Sequence, residues 1–121
     1  MRISCQNQME QGIGIDLETG RNPKFQMTRF FLKPDELKKL RSEGQKKSFL
    51  RLWTVKEALF KSDPLNSNST LLDYEVSDPN VMQGQAKCEK NKSVFSYSSR
   101  KIKDGFLTVA IAKEVFHADR K

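Results

Sequence analysis

Residues 48–62, SFLRLWTVKEALFKS, decide the fold of this chain. The stretch is rich in Leu, Ala, Lys, Arg and Glu, which are good helix formers. At about 100° per residue, its large apolar side chains fall on one stripe of a helix. These side chains are Phe49, Leu52, Trp53, Leu59 and Phe60. The stripe predicts a helix that packs against a hydrophobic core.

Two charged residues of this predicted helix stand out. Lys56 falls in the middle of the apolar stripe, where a charge is costly unless it is paired or its head reaches water. Glu57 falls at the edge of the stripe, one turn from both Trp53 and Lys61. An ordinary amphipathic helix with a surface Glu–Lys pair would explain this pattern, and so would a functional site.

A second informative stretch, residues 9–17, reads as a strand because apolar residues alternate with glycine and polar residues. Asp16 and Glu18 are two positions apart, so an extended chain points both carboxylates to one face. Two carboxylates on one face repel each other unless a cation or a basic group lies between them. Either a solvated strand end or a cation site fits this pair.

The rest of the chain predicts short helices before the long helix and strands after it. The predicted helical segments are 25–31 and 35–41, and the predicted strands are 71–76, 83–89, 94–99 and 106–113. This order predicts an α+β fold in which an antiparallel sheet packs against a long central helix. Because the sequence shows no internal repeat and no low-complexity segment, we expect a single domain over residues 1–121.

The composition is that of a globular protein, with 31% charged and 36% hydrophobic residues. The formal net charge of +7 favours a polyanionic partner, such as a nucleotide, a nucleic acid or an acidic protein. Cys5 and Cys88 have no metal-binding spacing, which favours reduced thiols in the cytoplasm. The longest apolar stretch, residues 106–112, is too short to span a bilayer, so we expect no membrane partner.

The two stretches together resemble the signature of the 4′-phosphopantetheinyl transferase superfamily. GIGIDLE at residues 12–18 is similar to the family's G-[IV]-D-x-E strand, and WTVKEALFK at residues 53–61 is similar to its W-[ST]-x-K-E-[AS]-x-x-K helix. The matching residues are Gly14, Ile15, Asp16, Glu18, Trp53, Thr54, Lys56, Glu57, Ala58 and Lys61. TRFFLKPDELKKL and GFLTVAIA resemble further parts of the family, so the resemblance covers about 12–114.

The D-x-E form resembles the surfactin-synthetase-activating type of this family, whose members consist of two similar halves. This chain resembles only the C-terminal half of that type, although its length is that of the short holo-acyl-carrier-protein synthases, which are homotrimers. In both types the active site lies between two halves or two subunits. The resemblance therefore implies a homo-oligomer, a trimer or a dimer. The alternative is a non-catalytic or obligately paired half of a two-subunit enzyme.

The resemblance also implies a reaction and a set of site residues. Family members transfer the 4′-phosphopantetheine group of coenzyme A to a serine of an apo acyl or peptidyl carrier protein, with Mg²⁺, and release adenosine 3′,5′-bisphosphate. Asp16, Glu18 and Glu57 would then be the metal ligands. Glu57 would also accept the serine proton, and Lys61 would be a catalytic residue that contacts a phosphate of coenzyme A. Lys56 would bind the cofactor through a phosphate, or it would pair with the carboxylates.

Some of the family's coenzyme-binding features are missing from this chain. The histidine of the family's S-x-S-H segment has no counterpart in residues 95–100. Basic residues that could hold the 3′-phosphate instead are Arg29, Lys33, Arg100, Lys101 and Lys103.

A small basic nucleic-acid-binding protein is a third possible class, but it rests on the net charge alone. We therefore expect an acidic carrier protein, and not a nucleic acid, as the partner. The choice among fatty-acid, polyketide and peptide-synthetase carriers, and between Mg²⁺ and Mn²⁺, stays open.

Overall fold

The computed structural model describes residues 12–40 and 45–113, apart from the side chains of residues 45–47. Within these residues, the strands and α-helices in chain order are β1 (Ile13–Thr19), α1 (Pro34–Lys39), α2 (Gln45–Ser62), β2 (Glu75–Val76), β3 (Gln83–Cys88), β4 (Ser93–Ile102) and β5 (Gly105–Ala112). Short 3-10 turns lie at Phe25–Phe30, Asn66–Asn68 and Leu71–Asp73. The predicted strand start at residues 9–11 and the predicted helix end at residue 41 lie outside the described residues, as does Cys5.

The strands form one antiparallel sheet in the order β1-β5-β4-β3-β2. The first strand pairs with the last, with Asp16 opposite Thr108. Helix α2 packs mainly on β1 and β5. The predicted α+β fold with an antiparallel sheet is therefore confirmed, and the long helix covers the β1–β5 side of the sheet rather than its middle.

The apolar stripe of α2 faces the core as its periodicity predicts. Phe49, Leu52 and Leu59 are buried, whereas Trp53 and Phe60 are partly buried and pack against the core from its border. The other elements contribute Phe31, Tyr74 and Phe95, among further buried residues, to the same cluster. Burial of this stripe, more than helix propensity, holds α2 in place.

Gly14 lets β1 approach the backbone of α2 closely. A Cβ atom at this position would lie 2.3 Å from the carbonyl oxygen of Ala58 and 2.5 Å from the backbone nitrogen of Ser62. No side chain fits into that space, so the strand packs directly on the helix backbone. Asp16 follows on the same face of β1 and therefore lies close to the last two turns of the helix.

The opposite face of the sheet is apolar and partly exposed at β1 and β5. The side chains of this face alternate with those that face α2. We call it the open face; it consists of Ile13, Ile15, Leu17, Leu107, Val109 and Ile111. Leu17 is 57% exposed and Ile111 is 47% exposed. Large exposed apolar patches of this kind often mark interaction surfaces.

The predicted strand at residues 71–76 is wrong in its first half. Leu71–Asp73 is a 3-10 turn, and only Glu75–Val76 pairs as a strand. The turn is stabilised because the backbone N–H of Thr70 donates to the Asp73 carboxylate over 2.8 Å. Such local capping competes with extended structure and is stronger here than the strand propensity of the apolar residues.

None of the helices in the described part of the chain is long and apolar enough to cross a membrane.

Candidate functional site

Asp16 lies at the centre of the site, between β1 and α2. Its side chain is only 6% exposed. One carboxylate oxygen, Oδ1, accepts a hydrogen bond from Lys61 Nζ over 2.9 Å. The other oxygen, Oδ2, is buried and has no hydrogen-bond partner among the described residues. A buried carboxylate oxygen without a partner is costly, and it is a position at which a cation would be stabilised.

Glu18 lies one step further along the same face of β1. Its Oε2 accepts a hydrogen bond from the indole Nε1 of Trp53 over 3.2 Å. The Trp53 ring in turn packs edge-on against Phe31, with 5.1 Å between the ring centroids. Burial and the nearby charge of Asp16 raise the pKa of Glu18 above its ordinary value. Trp53 therefore has a polar contact in addition to the core contact that the sequence predicts.

Glu57 approaches the same neighbourhood from α2. Burial, followed by the charges of Asp16 and Glu18, raises the pKa of Glu57. The effects of these carboxylates on one another mean that the three acidic side chains share one electrostatic environment. The structure thus places Asp16, Glu18 and Glu57, which the family resemblance implies as metal ligands, within electrostatic reach of one another.

Lys61 supplies the positive charge in this environment. Besides its bond to Asp16, its ammonium lies 3.4 Å from the carbonyl oxygen of Ile15. Burial acts against the charged form of Lys61, but the hydrogen bond and charge of Asp16 and the charges of Glu57 and Glu18 raise its pKa. Because its side chain is 48% exposed, the ammonium can also reach solvent.

The three carboxylates suit a hard divalent cation in kind but do not form a finished cage. Within residues 12–40 and 45–113, no group of three or more His, Cys, Asp or Glu side chains is arranged to hold a metal ion. Mg²⁺ does not require such a cage, because it keeps several waters and binds through one or two carboxylates and substrate phosphates. The partnerless Oδ2 of Asp16 is the oxygen that fits this role best. The assignment of the metal ligands stays a prediction.

Lys56 takes a different place from the one that the sequence suggests. Its side chain is completely buried, and Nζ pairs with Glu36 Oε1 over 3.0 Å and also donates to the Tyr74 carbonyl oxygen. Glu36 accepts two further bonds, from the backbone N–H groups of Lys33 and Val76, each over 2.7 Å. Burial lowers the pKa of Lys56 although the charge of Glu36 acts in the opposite direction.

We therefore correct the interpretation of Lys56 as a cofactor-binding residue. Consecutive helix positions point about 100° apart, so Lys56 and Glu57 face different parts of the molecule. Lys56 connects α2 to α1 and β2, whereas Glu57 faces β1. The sequence predicts that a buried lysine needs a partner, but Glu36 is one of many acidic residues, and only the packing of α1 identifies it.

A groove lies beside Glu18 and is lined largely by apolar side chains. Its lining includes Met27, Phe31 and Trp53 together with Arg21. Next to it, the 3-10 turn Phe25–Phe30 exposes the side chains of Phe25, Met27 and Phe30. Arg29 lies over the Phe30 ring, 5.0 Å from its centroid. Sequence reasoning placed these aromatic residues in a helical turn without predicting their exposure at the site.

None of the five basic residues proposed for the 3′-phosphate forms an ion pair with the three carboxylates in the described part of the chain. Arg100, Lys101 and Lys103 lie exposed near the β4–β5 turn, where Lys101 lies over the Phe106 ring, 5.3 Å from its centroid. Among the described residues, Lys61 is the one basic side chain that forms an ion pair with Asp16, Glu18 or Glu57. Lys61 is thus the basic side chain that the structure pairs with these carboxylates.

The fold and the site together define a class of protein. In this class, a strand that carries two carboxylates, Asp16 and Glu18, packs against a helix that carries an acidic and a basic residue. The sequence profile described as the 4′-phosphopantetheinyl transferase superfamily matches residues 12–119. The chain belongs to this superfamily. Coenzyme A and a carrier protein are the general substrates of such enzymes. A comparison with curated proteins finds no match.

Proposed function

We propose that this chain is a Mg²⁺-dependent transferase of the holo-acyl-carrier-protein synthase type. It would move 4′-phosphopantetheine from coenzyme A to a serine of an apo carrier protein and release adenosine 3′,5′-bisphosphate. The observation that carries the proposal is the buried Asp16 carboxylate, with one oxygen on Lys61 and the other without a partner. Membership of the transferase superfamily supports the same reaction.

The site residues have distinct roles in this proposal. Asp16, Glu18 and Glu57 would hold the divalent cation, which would stabilise the negative charge that develops on the pyrophosphate. Glu57 would accept the proton of the carrier serine, directly or through water. Lys61 contacts a phosphate of the coenzyme as a point charge. Trp53 positions Glu18 through its indole N–H.

The exposed turn beside Glu18 supports an acidic carrier protein as the partner. Phe25, Met27 and Phe30 offer apolar contact area, and Met27 lines the same groove as Glu18. The turn also carries Arg29, and Arg21 lines the groove, so the rim is basic. A partner with an apolar surface and an acidic rim fits both features. Fatty-acid, polyketide and peptide-synthetase carriers all remain substrates to be compared.

We further propose that the enzyme is a homo-oligomer, a trimer or a dimer, in the cytoplasm. A second copy that covers the open face and extends past the edge strand β1 would lie beside Asp16 and Glu18, which β1 carries on its other face. Its basic residues would supply a second wall for the coenzyme, as symmetric association commonly does. The buried free thiol of Cys88 is consistent with a reducing compartment. A separate partner half is the alternative occupant of the open face.

The proposed reaction is tested by following its small product. The chain is incubated with coenzyme A, an apo carrier protein and Mg²⁺, and adenosine 3′,5′-bisphosphate is measured by chromatography. We expect release that requires the apo carrier and stops when a chelator removes the metal. Asp16→Asn should lower the release by at least about a hundredfold. Equal release without metal, or with Asp16→Asn, would contradict the assignment of the site.

A further inference from the structure

The inference starts from the two unlike environments of the Asp16 oxygens. Oδ1 is bound by the Lys61 ammonium at 2.9 Å, whereas Oδ2 is buried without a partner among the described residues. The carboxylate itself is 6% exposed, but the lysine side chain is 48% exposed. The anion is therefore fixed between β1 and α2, and its cation can move away into solvent.

Lys61 is also positioned to neutralise the whole acidic group. The charges of Asp16, Glu57 and Glu18 all act on its ammonium. A divalent cation bound at Oδ2 would lie next to an ammonium at Oδ1 of the same carboxylate, and the two positive charges would repel each other strongly in a partly buried site. Close binding of both cations by Asp16 is therefore unfavourable.

We propose that Lys61 is a resident cation that a divalent metal ion displaces from Asp16. In the protein without metal, Lys61 neutralises Asp16 and lowers the affinity for metal. Once displaced, the ammonium is free to bind a phosphate of the coenzyme. Because binding effects are reciprocal, a phosphate that attracts Lys61 also strengthens metal binding. This inference rests on the proposed function, and it adds a coupling between the two ligands through one side chain.

The size of the effect follows from the exposure of the lysine. An ion pair with one half-exposed partner contributes modestly to stability, since its charge is screened and its side chain loses entropy. Removing the ammonium should therefore strengthen metal binding by about three- to tenfold rather than by orders of magnitude. The same change should weaken coenzyme A binding in the presence of metal, because the phosphate contact is lost.

Mn²⁺ binding without coenzyme tests the displacement, measured by electron paramagnetic resonance of the free ion. Lys61→Met should bind Mn²⁺ about three to ten times more tightly than the parent. Lys87→Met is the matched control, because Lys87 is 49% exposed and pairs with Glu89 over 3.2 Å, away from this site. The control should leave the Mn²⁺ affinity unchanged. Equal or weaker Mn²⁺ binding by Lys61→Met would overturn the inference.

A second measurement uses the unaltered chain and separates displacement from simple repulsion. Amine labelling followed by mass spectrometry reports how readily each lysine reacts. Mg²⁺ should accelerate the labelling of Lys61, whose pairing with Asp16 is released, and should leave Lys87 unchanged. Unchanged labelling of Lys61 at saturating Mg²⁺ would overturn the displacement while leaving the proposed transferase intact. Absence of Mn²⁺ binding by parent and variant would overturn the metal site and the proposed function together.

Discussion

At the scale of single residues, the site depends on carboxylates whose charges are only partly compensated. Asp16 and Glu18 lie on one face of β1, as their spacing predicts, and Glu57 approaches them from α2. Burial and mutual repulsion raise the pKa of both Glu18 and Glu57. Groups whose pKa is shifted by burial together with specific charges are typical of functional sites.

Trp53 leads to the first prediction, because its indole connects the core to Glu18. Trp53→Phe keeps an aromatic ring against Phe31 but removes the N–H that Glu18 accepts. A hydrogen bond to a charged group contributes about 1.5–3 kcal/mol, so we expect the transfer rate to fall about tenfold or more. The melting temperature should change much less than the rate. Both are measured on the same preparation.

Phe31→Leu is the matched control for this prediction. It removes the edge-on ring contact with Trp53 but leaves the hydrogen bond to Glu18. We expect this variant to lose about 1 kcal/mol or more of stability while retaining most of its transfer rate. An unchanged rate in Trp53→Phe would show that the indole is only a packing group.

At the scale of elements, the contact between β1 and α2 sets the site, and Gly14 makes that contact possible. Gly14→Ala would place a methyl group 2.3 Å from the Ala58 carbonyl oxygen, so the strand and helix must separate. We expect a loss of about 2 kcal/mol or more in the free energy of unfolding, measured by urea denaturation. Transfer should fall as well, since Asp16 moves with the strand.

Gly20→Ala provides the comparison for Gly14→Ala. A Cβ at Gly20 meets no atom within 4 Å, but the residue has φ +104°, so only backbone strain opposes the change. We expect a smaller loss, about 1 kcal/mol. If Gly14→Ala is tolerated as well as Gly20→Ala, the close approach of β1 to α2 does not determine the site.

The buried ion pair between α1 and α2 gives the third prediction. Lys56→Met leaves the Glu36 carboxylate buried without its cation, so we expect a loss of about 3–5 kcal/mol in urea denaturation. The double variant Lys56→Met with Glu36→Gln should be more stable than Lys56→Met alone. The reason is that the amide is uncharged and can still accept the N–H of Val76.

A different result would change the account of this pair. If Lys56→Met is as stable as the parent, the Glu36 charge does not depend on Lys56. If it also binds coenzyme A less tightly while keeping full stability, Lys56 acts in ligand binding as the family resemblance first suggests. The double variant separates these outcomes, because only a charge-compensation role predicts partial recovery of stability.

The sequence predicts much of this architecture and leaves specific parts undetermined. Periodicity identifies α2 and its buried stripe, and alternation identifies β1, because both patterns follow from local geometry. The partner of Lys56 cannot be identified in this way, since the approach of α1 to α2 depends on packing between distant segments. The turn at Leu71–Asp73 was missed because a local capping bond opposed the strand propensity of the segment.

At the scale of the whole molecule, the open face leads to the fourth prediction. We expect the parent chain to sediment as a dimer or trimer. Leu17→Lys should shift it toward the monomer, because this 57% exposed side chain lies within the apolar patch. Leu65→Lys is the control, since Leu65 is 53% exposed but lies just after α2, outside the open face. Sedimentation equilibrium with and without coenzyme A gives the result.

The assembly model is contradicted by one clear outcome. A parent chain that remains a monomer and still transfers phosphopantetheine has no need of a second wall from another copy. A monomer without activity would instead support the alternative, in which a separate half completes the site. If Leu17→Lys loses both self-association and transfer, the result would support a site shared between copies.

The most direct test of the central claim is the mass of an apo carrier protein after incubation with this chain, coenzyme A and Mg²⁺. The account predicts that the purified chain alone adds one phosphopantetheine group to the carrier, and that Glu57→Gln adds none at the same enzyme concentration. Glu57→Gln should keep the parent's unfolding profile, because the side chain is half-buried at the edge of the site. An unmodified carrier with the parent chain, or full modification with Glu57→Gln, would contradict the account.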